Sequence, residues 1–444
     1  MTELAIAGGV PVRAEPYPEW PHGDDEDVAA VEEVVRGGRW GGFPEPGPKA
    51  AAFEEAFAAY QGARYGVLMS NGTVTMEVAL KALGIGWGDE VIIPALTFAA
   101  TVYAPIAAGA LPVIVDVTPE TWTIDPALVE AAITPRTRAI IPVHLGHQMA
   151  DMDRLMEIAR SHSLSVVEDC AHAHGQRWNG EGAGCIGDFG SFSHQSSKIM
   201  TAGEGGSLLA NDERLARLAH SIIDCGRPKD DAEKEYTFGA NYRLGELQAA
   251  LLLVAMRRFP EQQAQRAELG SYFEGLAAQV PGVRVMPHDS RITRWSFYRY
   301  VLAIEPELFA GRTNQVVCDA LEAEGVGAWT GYEPMSNYDL FQPSLSRLPV
   351  AVEHAARLDP SAMSFPVAEA AGLRASVYID ENVFRSDRAG VEQAVEALAK
   401  IQRNAPELPG PVSPRRTGAD ARGSRPGPHR AWGRRDPRRP RAGS

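Results

Sequence analysis

A lysine in unusual surroundings is the first residue that could do chemistry. Lys198 lies in the run GSFSHQSSKIMTAGEGG, which spans residues 190–206 and is rich in glycine and hydroxyl side chains. Gly203, Gly205 and Gly206 permit positive φ and a sharp hairpin beside the lysine. A tight backbone of this kind turns the amine inward, and a sheltered amine with a depressed pKa is the nucleophile that imine chemistry requires. An ordinary surface lysine can have the same flanks, so the run alone leaves both interpretations open.

A second candidate is Asp169, which places a charge at the end of the apolar segment LSVVED (164–169). A carboxylate there is unfavourable unless it is paired. One interpretation is a helix cap for the segment that follows. The other is a partner for a protonated ring nitrogen, which would keep a pyridine-type cofactor an electron sink.

The third feature is the segment SNGTVTM (70–76), which follows an apolar strand and opens a helical pattern. Backbone N–H groups and hydroxyls at a helix start form an anion site that suits a phosphate group. Many strand–helix turns carry serine, glycine and threonine, so this segment needs support from the other two features.

Short apolar runs alternate with helical patterns through the first half of the chain and would position these groups. The runs predict buried strands at Tyr65–Met69, Glu90–Pro94, Leu111–Asp116, Ala139–Val143 and Leu164–Asp169. Helices are predicted from Asp125-Pro126 and from near Asp151, where capping carboxylates precede apolar stripes. Strand–helix–strand repetition predicts an α/β fold with a mainly parallel sheet flanked by helices. Ligands bind beyond the carboxyl ends of such strands, which is where residues 70–75, 97–100 and 169–174 fall.

The length of 444 residues allows a large domain and a smaller one. A helical stretch is predicted to end around Arg258-Phe259-Pro260. We place the boundary between the two domains at this helix end. The large domain covers residues 1–258, with an N-terminal arm at 1–25, and the smaller C-terminal α+β domain covers residues 259–405. Residues 406–444 are predicted to be a disordered tail, because from Pro411 onward the chain has few apolar side chains to bury and carries ten arginines against two aspartates. The tail is either an extension without function or a contact for an anionic partner.

Charge and composition exclude several classes of function. The formal net charge is −14 despite the basic tail, so the remainder is strongly acidic, which argues against a nucleic-acid partner. The four cysteines are scattered without a CxxC pair, so neither disulfides nor a metal site are expected, and a reducing cytoplasm fits. We see no signal-peptide pattern and no apolar run of roughly 18 residues, so no membrane contact is expected.

The candidate segments occur in the same order along the chain as the motifs of one known protein family. The segments EDCAHAHG (168–175), GDFGSFS (187–193), Lys198 with GEGG (203–206), and GANYRLGELQA (239–249) resemble the DegT/StrS-type family of sugar aminotransferases, which are fold-type-I pyridoxal-phosphate (PLP) enzymes. The resemblance covers roughly residues 5–405. It implies a seven-stranded type of sheet, a homodimer with shared active sites, and PLP as cofactor with pyridoxamine phosphate as its intermediate form. Relatives that dehydrate sugars carry histidine in place of this lysine, so Lys198 implies amino transfer.

The resemblance also implies roles for individual residues. Lys198 would hold PLP as a Schiff base and then move a proton between cofactor and substrate carbons. Asp169 would bind the pyridinium, and His172 would lie on the side of the ring's 3-oxygen. Further cofactor contacts are implied for Phe98 stacked on the ring, for Gly72, Thr73, the Val74 N–H, Ser193 and Gln195 around the phosphate, and for Asn241 from the neighbouring subunit.

The substrates are less sharply defined. Gln195 followed by two small residues resembles two subgroups, the glutamine-dependent scyllo-inosose aminotransferases and the 3-amino-5-hydroxybenzoate synthases. His194, Tyr332 and Asp380 are predicted to contact the substrate, and carboxylates there would suit a neutral polyol better than an anionic sugar nucleotide.

The predicted function is amino transfer from L-glutamine or L-glutamate to the keto group of a cyclitol or sugar, in aminocyclitol or amino-sugar biosynthesis. The alternatives are an enzyme like 3-amino-5-hydroxybenzoate synthase, a nucleotide keto-sugar aminotransferase, and a PLP-binding regulator without enzymatic activity.

Overall fold

The computed structural model describes residues 3–43, 46–228 and 237–410. Two helices come first, α1 (Asp25–Gly37) and α2 (Pro48–Gln61). Helix α1 begins where the Asp24 carboxylate accepts backbone N–H groups of the first turn. Helix α2 begins at a proline and ends before Gly62, whose positive φ of 99° suits a glycine C-cap.

Strands and helices alternate through the first half of the chain. The elements are β1 (Tyr65–Met69), α3 (Gly72–Ala82), β2 (Glu90–Pro94), α4 (Ala99–Ala108), β3 (Leu111–Val115), α5 (Pro126–Ala132), β4 (Thr137–Ile140), α6 (Met152–His162), β5 (Ser165–Asp169), β6 (Arg177–Trp178), β7 (Glu181–Gly182), β8 (Phe189–Ser193), β9 (Gly206–Ala210) and α7 (Glu213–Ile223). Seven of the strands form one sheet in the order β1-β9-β8-β5-β4-β2-β3.

This large sheet confirms the predicted fold class. Strands β8, β5, β4, β2 and β3 pair in parallel, and β9 runs antiparallel to both of its neighbours. The predicted strand bounds hold at β1 and β2, but β4 covers Thr137–Ile140 where Ala139–Val143 was predicted. The chain leaves the ladder after Ile140, and Val143 makes only an isolated bridge to Asp169.

The predicted helix end at Arg258-Phe259-Pro260 is wrong. Helix α8 runs from Glu246 to Ala277 with Pro260 inside it. Its buried face continues through the proline, with Phe259, Gln263 and Arg266 followed by Leu269, Gly270 and Phe273. This packing against α2 on one side and the C-terminal helix on the other outweighs the missing N–H, which costs about 3 kcal/mol in a helix interior. Because the proposed boundary at residue 258 lies within this helix, the division into two domains stays a prediction.

The second half of the chain builds a smaller sheet. Its elements are β10 (Val283–Val285), β11 (Ile292–Arg294), β12 (Tyr300–Ile304), α9 (Asn314–Ala323), β13 (Ala328–Trp329), α10 (Pro349–Glu353), α11 (Pro366–Ala370), β14 (Ser376–Ile379) and α12 (Arg388–Arg403). Strands β10, β12, β14 and β13 form an antiparallel sheet in that order, and β11 pairs with β6. The mixture of helices and antiparallel strands agrees with the predicted α+β character.

The predicted disorder of residues 406–444 is wrong at its start. Residues 405–407 form a 3-10 turn, Leu408 is buried, and its carbonyl accepts a hydrogen bond from Arg312 at 2.9 Å. The apolar side chain of Leu408 anchors this part of the chain. The arginine-rich remainder, 411–444, lies outside the described residues. Within the described ranges, no helix combines the length and apolar character needed to cross a bilayer.

Candidate active site

Five strand ends of the large sheet open into one cavity of about 780 Å³. The residues that follow β1, β2, β4, β5 and β8 line it, as expected for a parallel sheet. The residues predicted from the sequence that line the cavity are Gly72, Thr73, Val74, Phe98, Asp169, His172, Ser193, Gln195, Lys198 and Tyr332.

Lys198 lies in the loop between β8 and β9, in contact with two aromatic side chains. Its backbone carbonyl accepts the indole N–H of Trp20 at 2.9 Å, and its amine nitrogen lies 4.3 Å from the centroid of the Tyr298 ring. Burial lowers the pKa of the Lys198 amine, and the nearby Tyr298 and Asp169 oppose that effect. A lysine on the wall of a cavity with a lowered pKa is a nucleophile and not an ordinary surface cation.

Asp169 ends β5 with its carboxylate buried beside the cavity. One carboxylate oxygen accepts the Thr101 hydroxyl at 2.8 Å, and the other accepts the Ala171 N–H at 3.2 Å. Burial raises the pKa of Asp169, whereas the Thr101 hydrogen bond, the Ala171 N–H and the charge of Lys198 lower it. A buried carboxylate with only two protein partners has capacity left for a cationic group of a ligand.

His172 has both ring nitrogens engaged. Its Nδ1 accepts the Gly146 N–H at 3.1 Å, which leaves the proton on Nε2, and Nε2 donates to the Tyr332 hydroxyl at 3.0 Å. Burial holds the pKa of His172 well below its usual range, so the imidazole is neutral. The Tyr332 hydroxyl accepts this bond and keeps its own proton to donate.

The start of α3 forms a cradle against the end of β8. A Cβ on Gly72 would lie 2.7 Å from the Ser193 Cβ, so only glycine fits at this approach. The N–H groups of the first turn, at Gly72 and Thr73, have no partner within an α-helix. The Val74 N–H, which was predicted to bind phosphate, donates to the Asn71 side chain at 3.0 Å. An anion bound in this cradle would therefore meet the N–H groups of Gly72 and Thr73 and the hydroxyl of Ser193.

The prediction that His194 touches the substrate is wrong. His194 is fully buried on the side of the strand away from the cavity, with its ring 5.4 Å from Phe53 and 5.5 Å from Phe57. Its Nε2 lies 2.8 Å from the Ser207 hydroxyl. Because successive residues of an extended strand point to opposite faces, Ser193 faces the cavity and His194 faces the core.

Two further predicted residues do not line the cavity. Asp380 forms an ion pair with Arg299, and its predicted contact with a substrate stays a prediction. Asn241 is exposed, and its backbone forms an isolated antiparallel β-bridge with that of Asp224. Its predicted contact was with a neighbouring subunit, so that role stays a prediction. Gln195 lines the cavity, but its side-chain oxygen accepts both the N–H and the hydroxyl of Ser197.

The sequence did not reveal several aromatic residues of the cavity. Tyr298, Trp329 and Tyr338 line it together with Tyr332. The hydroxyl of Tyr298 donates to Ser197 at 2.8 Å. Burial alone would raise the pKa of Tyr298, but the charges of Lys198 and Arg299 outweigh burial and hold that pKa below its usual value. The one feature of the sequence that could have indicated an aromatic residue here is the run WSFYRY at 295–300, which contains Tyr298.

The donor groups of this cavity fit PLP. The absence of a side chain on Gly72 lets the start of α3 approach Ser193 closely, and the N–H groups there can donate to a phosphate group. Lys198 supplies an amine for an aldehyde, Asp169 a buried carboxylate for a pyridinium, and Phe98, which is 46% exposed, a free aromatic face. The fold and this site define a PLP-dependent aminotransferase.

The chain belongs to the DegT/DnrJ/EryC1/StrS aminotransferase family, whose profile matches residues 21–382. A relative from Streptoalloteichus tenebrarius, provisionally described as an L-glutamine:3-amino-2,3-dideoxy-scyllo-inosose aminotransferase, is 43% identical over 92% of this chain and 99% of its own length. An L-glutamine:2-deoxy-scyllo-inosose aminotransferase from the same organism is 36% identical over 91% of this chain and 99% of its own. The crystal structure of 3-amino-5-hydroxybenzoic acid synthase superposes with a TM-score of 0.77 at 32% identity, over 88% of this chain and 99% of that one.

Proposed function

We propose that this chain transfers the amino group of L-glutamine to the keto carbon of 3-amino-2,3-dideoxy-scyllo-inosose, a step of aminocyclitol biosynthesis. The observation that carries the proposal is the 43% identity, over nearly the whole of both chains, to a relative of that description. The identity is 36% to the enzyme for the acceptor without the amino group and 32% to the hydroxybenzoate synthase. In the reaction, the donor leaves as its 2-oxo acid and the acceptor becomes a diaminocyclitol.

Three residues would carry the chemistry. When bound, PLP supplies an aldehyde that condenses with amines and a pyridinium ring that stabilises negative charge on the adjacent carbon. Asp169 would hold the proton on the ring nitrogen, since its buried carboxylate favours a cationic partner. The Nζ of Lys198, whose pKa burial lowers, would be the group that bonds to the cofactor's aldehyde carbon, and the same amine would move the proton between the α-carbon of the donor and the cofactor. His172, with both nitrogens engaged, would contact the ring without exchanging a proton.

The remaining residues would orient the cofactor. Gly72 and Thr73 would donate backbone N–H groups to the phosphate, with Ser193 and Gln195 on its other side. The exposed ring of Phe98 would stack on the pyridine face. These contacts exclude water from one face of the ring.

We further propose a homodimer in which Asn241 completes the phosphate site of the neighbouring subunit. Asn241 is exposed and does not line the cavity of its own chain, which supports that role. Mixing Lys198→Ala chains with Asn241→Ala chains should restore activity, because one of the two sites then receives an intact lysine and an intact asparagine. No recovery in verified mixed dimers would contradict the shared site.

A reducing compartment such as the cytoplasm suits the four free thiols. Of these, Cys170, Cys185 and Cys318 are buried and Cys225 is exposed. Such a chain needs no oxidising environment to fold.

The test is a panel of donors and acceptors with the PLP-loaded protein, read by product mass. L-glutamine and L-glutamate serve as donors, and 3-amino-2,3-dideoxy-scyllo-inosose, 2-deoxy-scyllo-inosose and a nucleotide keto-sugar as acceptors. We expect the diaminocyclitol with every hydroxyl retained. Loss of water from the product would indicate a synthase-like reaction, preference for the nucleotide sugar would overturn the proposal, and no spectral change with either donor would indicate a regulator.

A further inference from the structure

Four aromatic side chains from the second half of the chain form one wall of the active-site cavity. This aromatic wall consists of Tyr298, Trp329, Tyr332 and Tyr338. The rings of Trp329 and Tyr332 meet at 90° with their centroids 5.2 Å apart, and the Phe98 ring lies 6.0 Å from Tyr332. The C–H face of a saturated cyclitol ring can pack against such rings, and their π faces also attract cations, so this wall can contact both the ring and a charged substituent of an acceptor.

Carboxylates are scarce among the described residues that line the cavity. The two carboxylates among these lining residues are those of Asp169 and Glu204. Asp169 lies beside Thr101, where it is proposed to bind the pyridinium. Glu204 is exposed in the loop before β9. The inner part of the cavity therefore offers a cationic group aromatic faces and the Asp169 carboxylate, which the pyridinium would occupy.

The positive charge behind the wall has a carboxylate partner. The Arg299 guanidinium lies 5.1 Å from the Tyr298 centroid and 5.6 Å from the Trp329 centroid, and Asp380 pairs with it. The Asp380 carboxylate offsets part of the Arg299 charge, although that charge still lowers the pKa values of Lys198 and Tyr298. The Lys198 amine already lies 4.3 Å from the Tyr298 centroid, so an amine is accommodated at this distance.

We propose that the aromatic wall binds the ammonium group that the acceptor already carries, and so selects an amino-keto-cyclitol over one with a hydroxyl at the same position. This inference rests on the proposed function and names the group by which the acceptor is recognised. An ammonium is attracted to the negative face of an aromatic ring, most strongly to tryptophan, whereas a neutral hydroxyl gains little from that face. In a desolvated cavity the gain corresponds to roughly threefold to thirtyfold in affinity.

The experiment compares two acceptors that differ in this one group, 3-amino-2,3-dideoxy-scyllo-inosose and 2-deoxy-scyllo-inosose. We expect the intact enzyme to have the higher kcat/KM with the amino acceptor. Trp329→Leu should lower the ratio of the two kcat/KM values by roughly threefold to thirtyfold, and Trp329→Phe should keep most of it. Calorimetric binding of the diaminocyclitol product to the PLP-loaded protein should weaken by a similar factor in Trp329→Leu.

Trp87→Leu is the matched control, because Trp87 is 60% exposed and lies outside the cavity. Its acceptor ratio should equal that of the intact enzyme. Spectral conversion by L-glutamine alone shows that a variant is folded, and Tyr338→Leu replaces Trp329→Leu if that conversion is lost.

The outcomes separate the two proposals. If the intact enzyme aminates neither cyclitol, the proposed function fails. If it aminates both equally well, or if Glu204→Gln and not the wall variants lowers the ratio, the function stands and the aromatic recognition is overturned.

Discussion

The indole N–H of Trp20 donates to the backbone carbonyl of Lys198 at 2.9 Å. The face of the same indole lies 3.4 Å from the Arg385 guanidinium, and Arg385 pairs with Glu381. One side chain of the N-terminal arm therefore joins the loop that carries the candidate nucleophile to the second half of the chain. The loop between β8 and β9 also has its own hydrogen bonds, among them the Lys198 N–H to the Gln195 carbonyl at 2.8 Å, and the Trp20 bond adds a contact from outside the loop at the lysine itself.

Replacing Trp20 with phenylalanine tests this positioning role. Trp20→Phe keeps an aromatic ring but leaves the Lys198 carbonyl without its donor, which should lower the free energy of unfolding by about 1 kcal/mol and slow amino transfer by about fivefold to tenfold. Denaturant unfolding and the single-turnover rate with L-glutamine measure the two effects. Trp40→Phe is the control, since Trp40 donates to Val35 at 3.2 Å on the surface. Equal effects of both variants on the rate would contradict the role of Trp20.

The hydrogen bond from Thr101 to Asp169 should support the cofactor's ring nitrogen. Thr101→Val has nearly the same shape but removes a donor to a charged group, a loss of about 1.5–3 kcal/mol that predicts roughly a tenfold to hundredfold drop in turnover. Asp169→Asn removes the buried charge itself and should slow turnover by about a hundredfold or more. Stopped-flow spectra with L-glutamine measure both rates. Thr118→Val, at a partly buried threonine pair elsewhere, should leave them unchanged.

Local sequence signals were sufficient for five of the seven strands of the large sheet and for the position of Asp169, but β8 and β9 were not predicted. Continuous apolar runs marked β1, β2 and β5, and Asp169 could be placed at a strand end because a charge interrupted such a run. The side chain of His194 could not be placed correctly from the sequence. Successive residues of an extended segment point to opposite faces of the sheet, so a shift of one residue moves a side chain from the cavity face to the core face.

Long-range packing explains the residues that the sequence did not reveal. Tyr298 bonds to Ser197 across 101 residues of chain, and Trp329 reaches the same cavity from a different sheet. No spacing rule connects such positions. The error at Pro260 has the same origin, since two layers of packing along α8 override a strong local signal for a helix end.

The lowered pKa of Lys198 predicts how imine formation depends on pH. The neutral amine is the reactive form, so the rate at which cofactor-free protein binds PLP covalently should rise with pH to a midpoint below 10.5. Between that midpoint and 10.5 the native state binds fewer protons than the unfolded state, so the contribution of this group to stability rises with pH.

Imine absorbance and borohydride trapping measure the reaction. Lys198→Ala should abolish both signals and slow turnover by at least about a hundredfold, whereas Lys49→Ala, on the surface, should preserve them. A midpoint at or above 10.5 would show that the amine is not sheltered.

Glu54 should make folding stability fall as pH rises through neutrality. Burial raises its pKa to about 8, with a further increase from Glu246, although the Leu68 N–H donates to it at 2.7 Å. Between the ordinary value of 4.5 and about 8 the native state binds more protons than the unfolded state, so stability decreases as pH increases across this window. Glu54→Gln keeps an acceptor for Leu68 and cannot ionise, so it should remove on the order of 2–4 kcal/mol of this loss.

Denaturant unfolding of the cofactor-free protein at pH 5, 7 and 9 measures the slope. Glu55→Gln, on the exposed face of α2, should keep the slope of the intact chain. If Glu54→Gln and the intact chain lose stability in parallel from pH 5 to pH 9, the buried carboxyl does not titrate in this window.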